Sequence, residues 1–175
     1  MINEGLIKLN KKSGSKAQAI VEFAIALPIL LALVIGIFEV ARVIFIYSSV
    51  TNASRNAARY ASAVGYEDTG AYHKFIYCDG IKAIAEKSAY LMSPSSLTIT
   101  ISYDEGPGTT SLGTCTATGG DDTTIGGLIE YGDRVTVEVV AKYKPMLKLI
   151  PISSRDITST SSRTILGIVD LKSYP

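Results

Sequence analysis

The sequence predicts an α+β fold: a long N-terminal helix, a second helix, and an antiparallel sheet of about three to four strands packed on the first helix. Three observations predict it. The run Gln18–Tyr47, QAIVEFAIALPILLALVIGIFEVARVIFIY, is almost wholly apolar. Two later segments, LTITISY (97–103) and RVTVEVVAKYK (134–144), alternate apolar and polar residues at period two, as half-buried strands do. Helical patterns come first and strand patterns after, which is the order of an α+β chain.

The first 17 residues are polar and basic, with Lys8, Lys11, Lys12 and Lys16 against the single acid Glu4. Basic residues beside an apolar helix favour the cytoplasmic side, so Met1–Ala17 reads as a cytoplasmic leader. No charged residue lies between Phe23 and Phe38, and a helix from Phe23 to Ile46 would be about 36 Å long, enough to cross a bilayer core of about 30 Å. The run is too long for a cleaved secretory signal, and no A-x-A pattern closes it before Glu39, so it is expected to stay as an anchor. Pro28 predicts a kink near the start, and Ala32 with Gly36 offers a small-residue face to a neighbouring helix. Glu39 and Arg42, three apart, can pair or mark the outer boundary. Beyond them Val50, Ala53, Ala57, Tyr60, Ala61 and Val64 share one side, extending a single helix to about Val64, where Gly65 ends it. The organisation is a leader at 1–17, a transmembrane helix at 18–47 and an extracytoplasmic α+β domain at 48–175.

A second helical pattern covers Ala71 to about Met92, with Asp79-Gly80 as a potential break and Ser93-Pro94 as the stop. The strand Leu97–Tyr103 follows. Residues 104–127 are rich in Gly, Thr and Asp and predict a surface excursion with a short strand around Thr114–Thr118. Gly132-Asp133 turns the chain into the strand Arg134–Lys144, Pro145 ends it, and MLKLIP is an apolar connector. Asp156–Leu166, DITSTSSRTIL, reads as the last strand.

Composition excludes several functions. Of 175 residues, 17 are Lys or Arg and 16 Asp or Glu, and no basic stripe marks a nucleic-acid partner. His73 is the only histidine and reads as a solvated or capping residue; no nucleophile elbow or phosphate-binding glycine loop is present, so no enzyme and no cofactor is expected. Asp121-Asp122 lacks an EF-hand ligand ladder, and no metal is expected. Cys78 and Cys115 both lie beyond the apolar helix; they are a disulfide if that part is outside the membrane, or two buried thiols.

Taken together, QAIVEFAIALPILLALVIGIFEVAR, NASRNAARYA, GDRVTVEVVAKYKP and a late strand ending in Arg163 resemble the TadE-like proteins. These are minor pilins or pseudopilins of the tight-adherence (Tad/Flp) pilus, a branch of the type IV pilus and type II secretion superfamily. The resemblance implies a structural or assembly subunit whose partners are other pilin subunits, the Tad assembly platform, a prepilin peptidase and the lipid bilayer. It implies a leader cut on the cytoplasmic face between Ala17 and Gln18, which makes Glu22 the fifth mature residue with the aromatic Phe23 next. The family commonly has Gly where this chain has Ala17. It also implies that Glu22 pairs with the new amine on Gln18 of the same or a neighbouring subunit and so sets the register of assembly; the residues alone equally allow Glu22 to sit at head-group level against Lys16. The alternative to a pilin is an anchored accessory or adhesion module that never polymerises.

Overall fold

The computed structural model describes residues 14–68, 70, 72–90, 92–115, 127–145 and 154–167. The greater part of the basic leader, Asp121-Asp122 and the MLKLIP connector fall outside them. The chain divides into two compact units, Met1–Ala41 and Arg42–Pro175.

The first unit is helical. Its residues open α1, an α-helix over Gly14–Ala61 that runs unbroken through Pro28. Among the described residues of this unit none covers the apolar side chains: Phe23, Ile29 and Phe38 are about two-thirds exposed, and none of the most apolar 18-residue window, of mean hydropathy 2.7, is buried. A helix apolar on all sides is stable only where lipid or other helices replace water around it. It is long and apolar enough to cross a membrane.

The second unit opens with the rest of α1. Here one face is buried, with Val50, Ala53, Ser54, Ala57 and Ala61 all at 0 % exposure, at helical spacings of three and four. These residues are small, which lets the backbone approach its neighbours closely. Ser54 contributes a hydroxyl contact to Ser159 at 3.1 Å. Past Ala61 the chain turns, and Gly65 takes a φ of +107°, a conformation that side chains disfavour.

The second helix, α2, spans Cys78–Ser88 and is shorter than the pattern from Ala71 to Met92 predicts. Asp79-Gly80 lies in its first turn and does not break it. Residues before it are held otherwise: Tyr66 and His73 form an antiparallel bridge, and the Glu67 amide donates to the Tyr72 carbonyl at 2.8 Å. Aromatic residues at helix-like spacing stack there instead of lining a helix. Gly80 is needed for contact, because a Cβ at that position would overlap the Tyr77 ring.

Four strands follow: β1 Leu97–Asp104, β2 Ser111–Thr114, β3 Arg134–Tyr143 and β4 Arg155–Thr164. They form one antiparallel sheet in the order β2-β1-β3-β4. The short second strand ends just before Cys115, and residues 116–118 of the strand expected around Thr114–Thr118 lie outside the described residues. Register puts Ile99, Ile101 and Tyr103 opposite Val139, Val137 and Val135, so one face is a continuous apolar layer. The other face carries Thr98, Thr100, Thr136, Glu138, Thr158 and Thr160. Burial of Ile101, Val135, Val137 and Val139 stabilises the unit by about 1.5–3 kcal/mol each. Among the described residues Tyr103 is the largest fully buried side chain; its hydroxyl donates to the Phe75 carbonyl and lies 3.3 Å from Cys115 Sγ. Cys78 and Cys115 are joined by a disulfide with Cα atoms 5.8 Å apart, tying the start of α2 to the end of β2. At the β1–β3 end, the Asp104 carboxylate accepts from Arg134 Nε at 2.7 Å and from the Gly106 amide at 3.0 Å, which fixes the turn into β2.

Candidate functional site

The inner end of the apolar run gathers Ala17, Gln18, Glu22 and Phe23 within two turns of α1. All four are exposed. Helical side chains lean toward the N-terminus, so Glu22 reaches back over residue 18. There its Oε1 accepts a hydrogen bond from Gln18 Nε2 at 3.2 Å. One amide donor leaves most of the carboxylate's acceptor capacity open. The arrangement offers a cation a carboxylate held one turn from residue 18, on a helix otherwise suited to hydrocarbon. Pro28 follows on the same helix. Cys78 and Cys115 belong to the other unit and to its internal fastening.

Arg42 opens the second unit. Its Nη1 donates to the Lys144 carbonyl at 3.0 Å, and its guanidinium carbon lies 5.7 Å from the centre of the Tyr143 ring. Beside it is a cleft of about 620 Å³ whose lining includes Phe45, Tyr90, Met92, Lys142 and Lys144. Sequence reasoning did not find this cluster, since Arg42 and Lys144 are 102 residues apart; the available signal was a lysine pair closing a strand.

A second cleft, of about 450 Å³, is lined by His73, Phe75, Ile129, Glu130 and Tyr131. His73 is neither free in solvent nor a helix cap. Its ring stacks on Tyr66 at 4.3 Å and on Phe75 at 5.2 Å, with the Tyr131 hydroxyl 3.4 Å from Nδ1. The cluster fastens the segment after α1 to the turn before β3. Nearby, burial first and then the charge of Asp68 push the Tyr60 phenol above its ordinary 10.0, while Lys74 Nζ lies 5.8 Å from the centre of its ring.

Comparison with known families falls on the first of these regions. Residues 17–59 match the family model of the TadE-like proteins. The matched segment begins at Ala17 and ends in the last turn of α1, so one element carries the whole match. It agrees with the resemblance read from QAIVEFAIALP. Searches of curated proteins and of solved structures give no match.

Proposed function

We propose that the protein is a minor pilin or pseudopilin of a Tad-type pilus, anchored by one transmembrane helix with its N-terminus in the cytoplasm and its α+β domain outside. It acts structurally, not catalytically. A prepilin peptidase removes the leader between Ala17 and Gln18, and subunits then assemble by lateral packing of their N-terminal helices. The observation that carries this reading is the exposed Glu22 carboxylate within an exposed apolar helix. An acid in the hydrocarbon region costs about 2.5–3.5 kcal/mol unless it is paired. Removing the leader creates a positive amine on Gln18, one turn from the acid, and a subunit offering that amine to a neighbour's Glu22 offsets the cost.

The experiment compares wild type with Glu22→Ala in the host. Sheared surface filaments should contain wild-type protein and lose the variant at least about tenfold, while both resist alkaline extraction from the membrane. Wild-type protein absent from filaments would instead make it an anchored accessory that does not polymerise. N-terminal sequencing of the mature protein should begin at Gln18, and Ala17→Phe should abolish that cut. A native protein that keeps Met1–Ala17 refutes the processing step.

A further inference from the structure

The cleft lined by His73, Phe75, Ile129, Glu130 and Tyr131 holds more chemistry than fastening the chain requires. Its rings stand as two walls. His73 and Phe75 are near parallel, 18° apart, and Tyr131 is turned 87° from the first and 75° from the second. Phe75 is buried, whereas Tyr131 is 52 % exposed. Contacts that served only to fasten the chain would close the space between those walls. A volume of about 450 Å³ remains, within the range of about 300–1,000 Å³ usual for small-ligand pockets.

Charge marks the kind of ligand. Among the described residues of the lining Glu130 is the one acid, and there is no lysine or arginine. Glu130 is exposed and forms no ion pair among the described residues. Asp133 adds a negative charge at the same turn, its Oδ2 accepting from the Glu130 amide at 2.7 Å. The cations nearest in sequence are turned to other partners. Lys74 Nζ lies 5.8 Å from the centre of the Tyr60 ring, and Arg134 Nε donates to Asp104 at 2.7 Å. Aromatic faces beside a carboxylate attract a cation, and a methylated ammonium, weakly hydrated and apolar at its rim, gains most from them.

We propose that this cleft binds a quaternary ammonium group, with its methyl groups against the Tyr131, His73 and Phe75 rings and its charge balanced by Glu130. A primary ammonium would give up a tighter hydration shell for the same contacts. A sugar could stack on Tyr131 but would leave the carboxylate without an opposite charge, and it is the competing ligand. The site uses neither Glu22 nor the apolar run, so the inference stands apart from the pilin reading.

The test is isothermal titration calorimetry of the full chain in a neutral polyoxyethylene detergent, with choline as the probe. Wild type should bind choline, and the uncharged tert-butyl isostere of choline about tenfold more weakly. Glu130→Gln should weaken choline about threefold, the effect of one exposed charge. Tyr131→Leu should weaken it about fivefold, and Tyr131→Phe, which keeps the ring, should bind as wild type does. Tyr90→Leu, at an exposed tyrosine outside this lining, should change nothing. If Tyr131→Leu fails to fold, Glu130→Gln on its exposed side chain carries the test. Phosphatidylcholine added to the micelles will displace choline if a lipid head group is the natural source, and will leave it bound if the source is a free compound. No heat from choline up to about 10 mM overturns the proposal. So does equal binding of the isostere, which would mean an apolar cavity, or an equal loss in Tyr90→Leu, which would mean ring contact anywhere on the surface. Displacement of choline by glucose also overturns it, because the site would then be one for sugars.

Discussion

Reducing the Cys78–Cys115 bridge should cost the second unit much of its stability. The two residues are 37 apart in sequence. Closing a loop of that length in the unfolded chain is worth about 4 kcal/mol by the chain-entropy relation, with measured bridges often giving less. For a unit of this size each kcal/mol moves the melting midpoint by about 3–5 °C, so full reduction should lower it by roughly 10 °C or more. The assay is the near-ultraviolet circular dichroism of the full chain in neutral detergent, heated with and without dithiothreitol, because Tyr103 sits against Cys115 and reports the core directly. Cys78→Ser should melt with the reduced protein. A fall of less than about 3 °C on complete reduction would refute the argument, since the bridge would then be constraining nothing the fold does not already constrain. In the host the same bond reports topology. Protein from cells trapped with a thiol-blocking reagent should show no free thiol if the unit lies outside the membrane, and two if it lies inside.

Three further outcomes follow from single contacts. Tyr103→Phe removes the donor to the Phe75 carbonyl and should destabilise the unit by about 1–2 kcal/mol in denaturant unfolding, with no loss of membrane insertion. Gly80→Ala forces a methyl into the Tyr77 ring and should cost about 1–3 kcal/mol, whereas Gly106→Ala, in open space, should cost little. The raised Tyr60 phenol holds its proton more tightly in the folded state; its contribution is complete below pH 10.0 and is lost as pH rises through the folded value. Stability should therefore fall above about pH 10, and Tyr60→Phe should flatten that fall relative to wild type.

The two central strands were legible because each keeps one face dry: Val135, Val137 and Val139 alternate with Thr136 and Glu138 as a half-buried strand requires. The first part of the long helix was legible for the opposite reason, the absence of any charged residue between Phe23 and Phe38. The extent of α2 was not. Tyr72, Phe75 and Ile76 have helix-like spacing, but Phe75 is spent on stacking with His73 and on an edge contact with Tyr131, a partner dozens of residues away. The inner segment Ala17–Phe23 could be read locally, since its chemistry lies in consecutive residues of one helix. The contact of Arg42 with the Lys144 carbonyl could not, because only folding brings a helix cation to a strand end.

The sheet order leaves β4 at one margin, a ten-residue strand with its outer backbone groups unladdered among the described residues. On the pilin reading proposed above, a subunit held at high density in a membrane would risk joining its neighbours strand to strand. The composition of β4 opposes that. Its middle, Thr158–Ser162, is all hydroxyl side chains, and Arg155, Asp156 and Arg163 place charges near both ends. A second strand docking there would have to strip water from those charges with little apolar surface gained in return. On that same reading, such a margin would keep subunits apart at their sheets and leave any polymerisation to the helices.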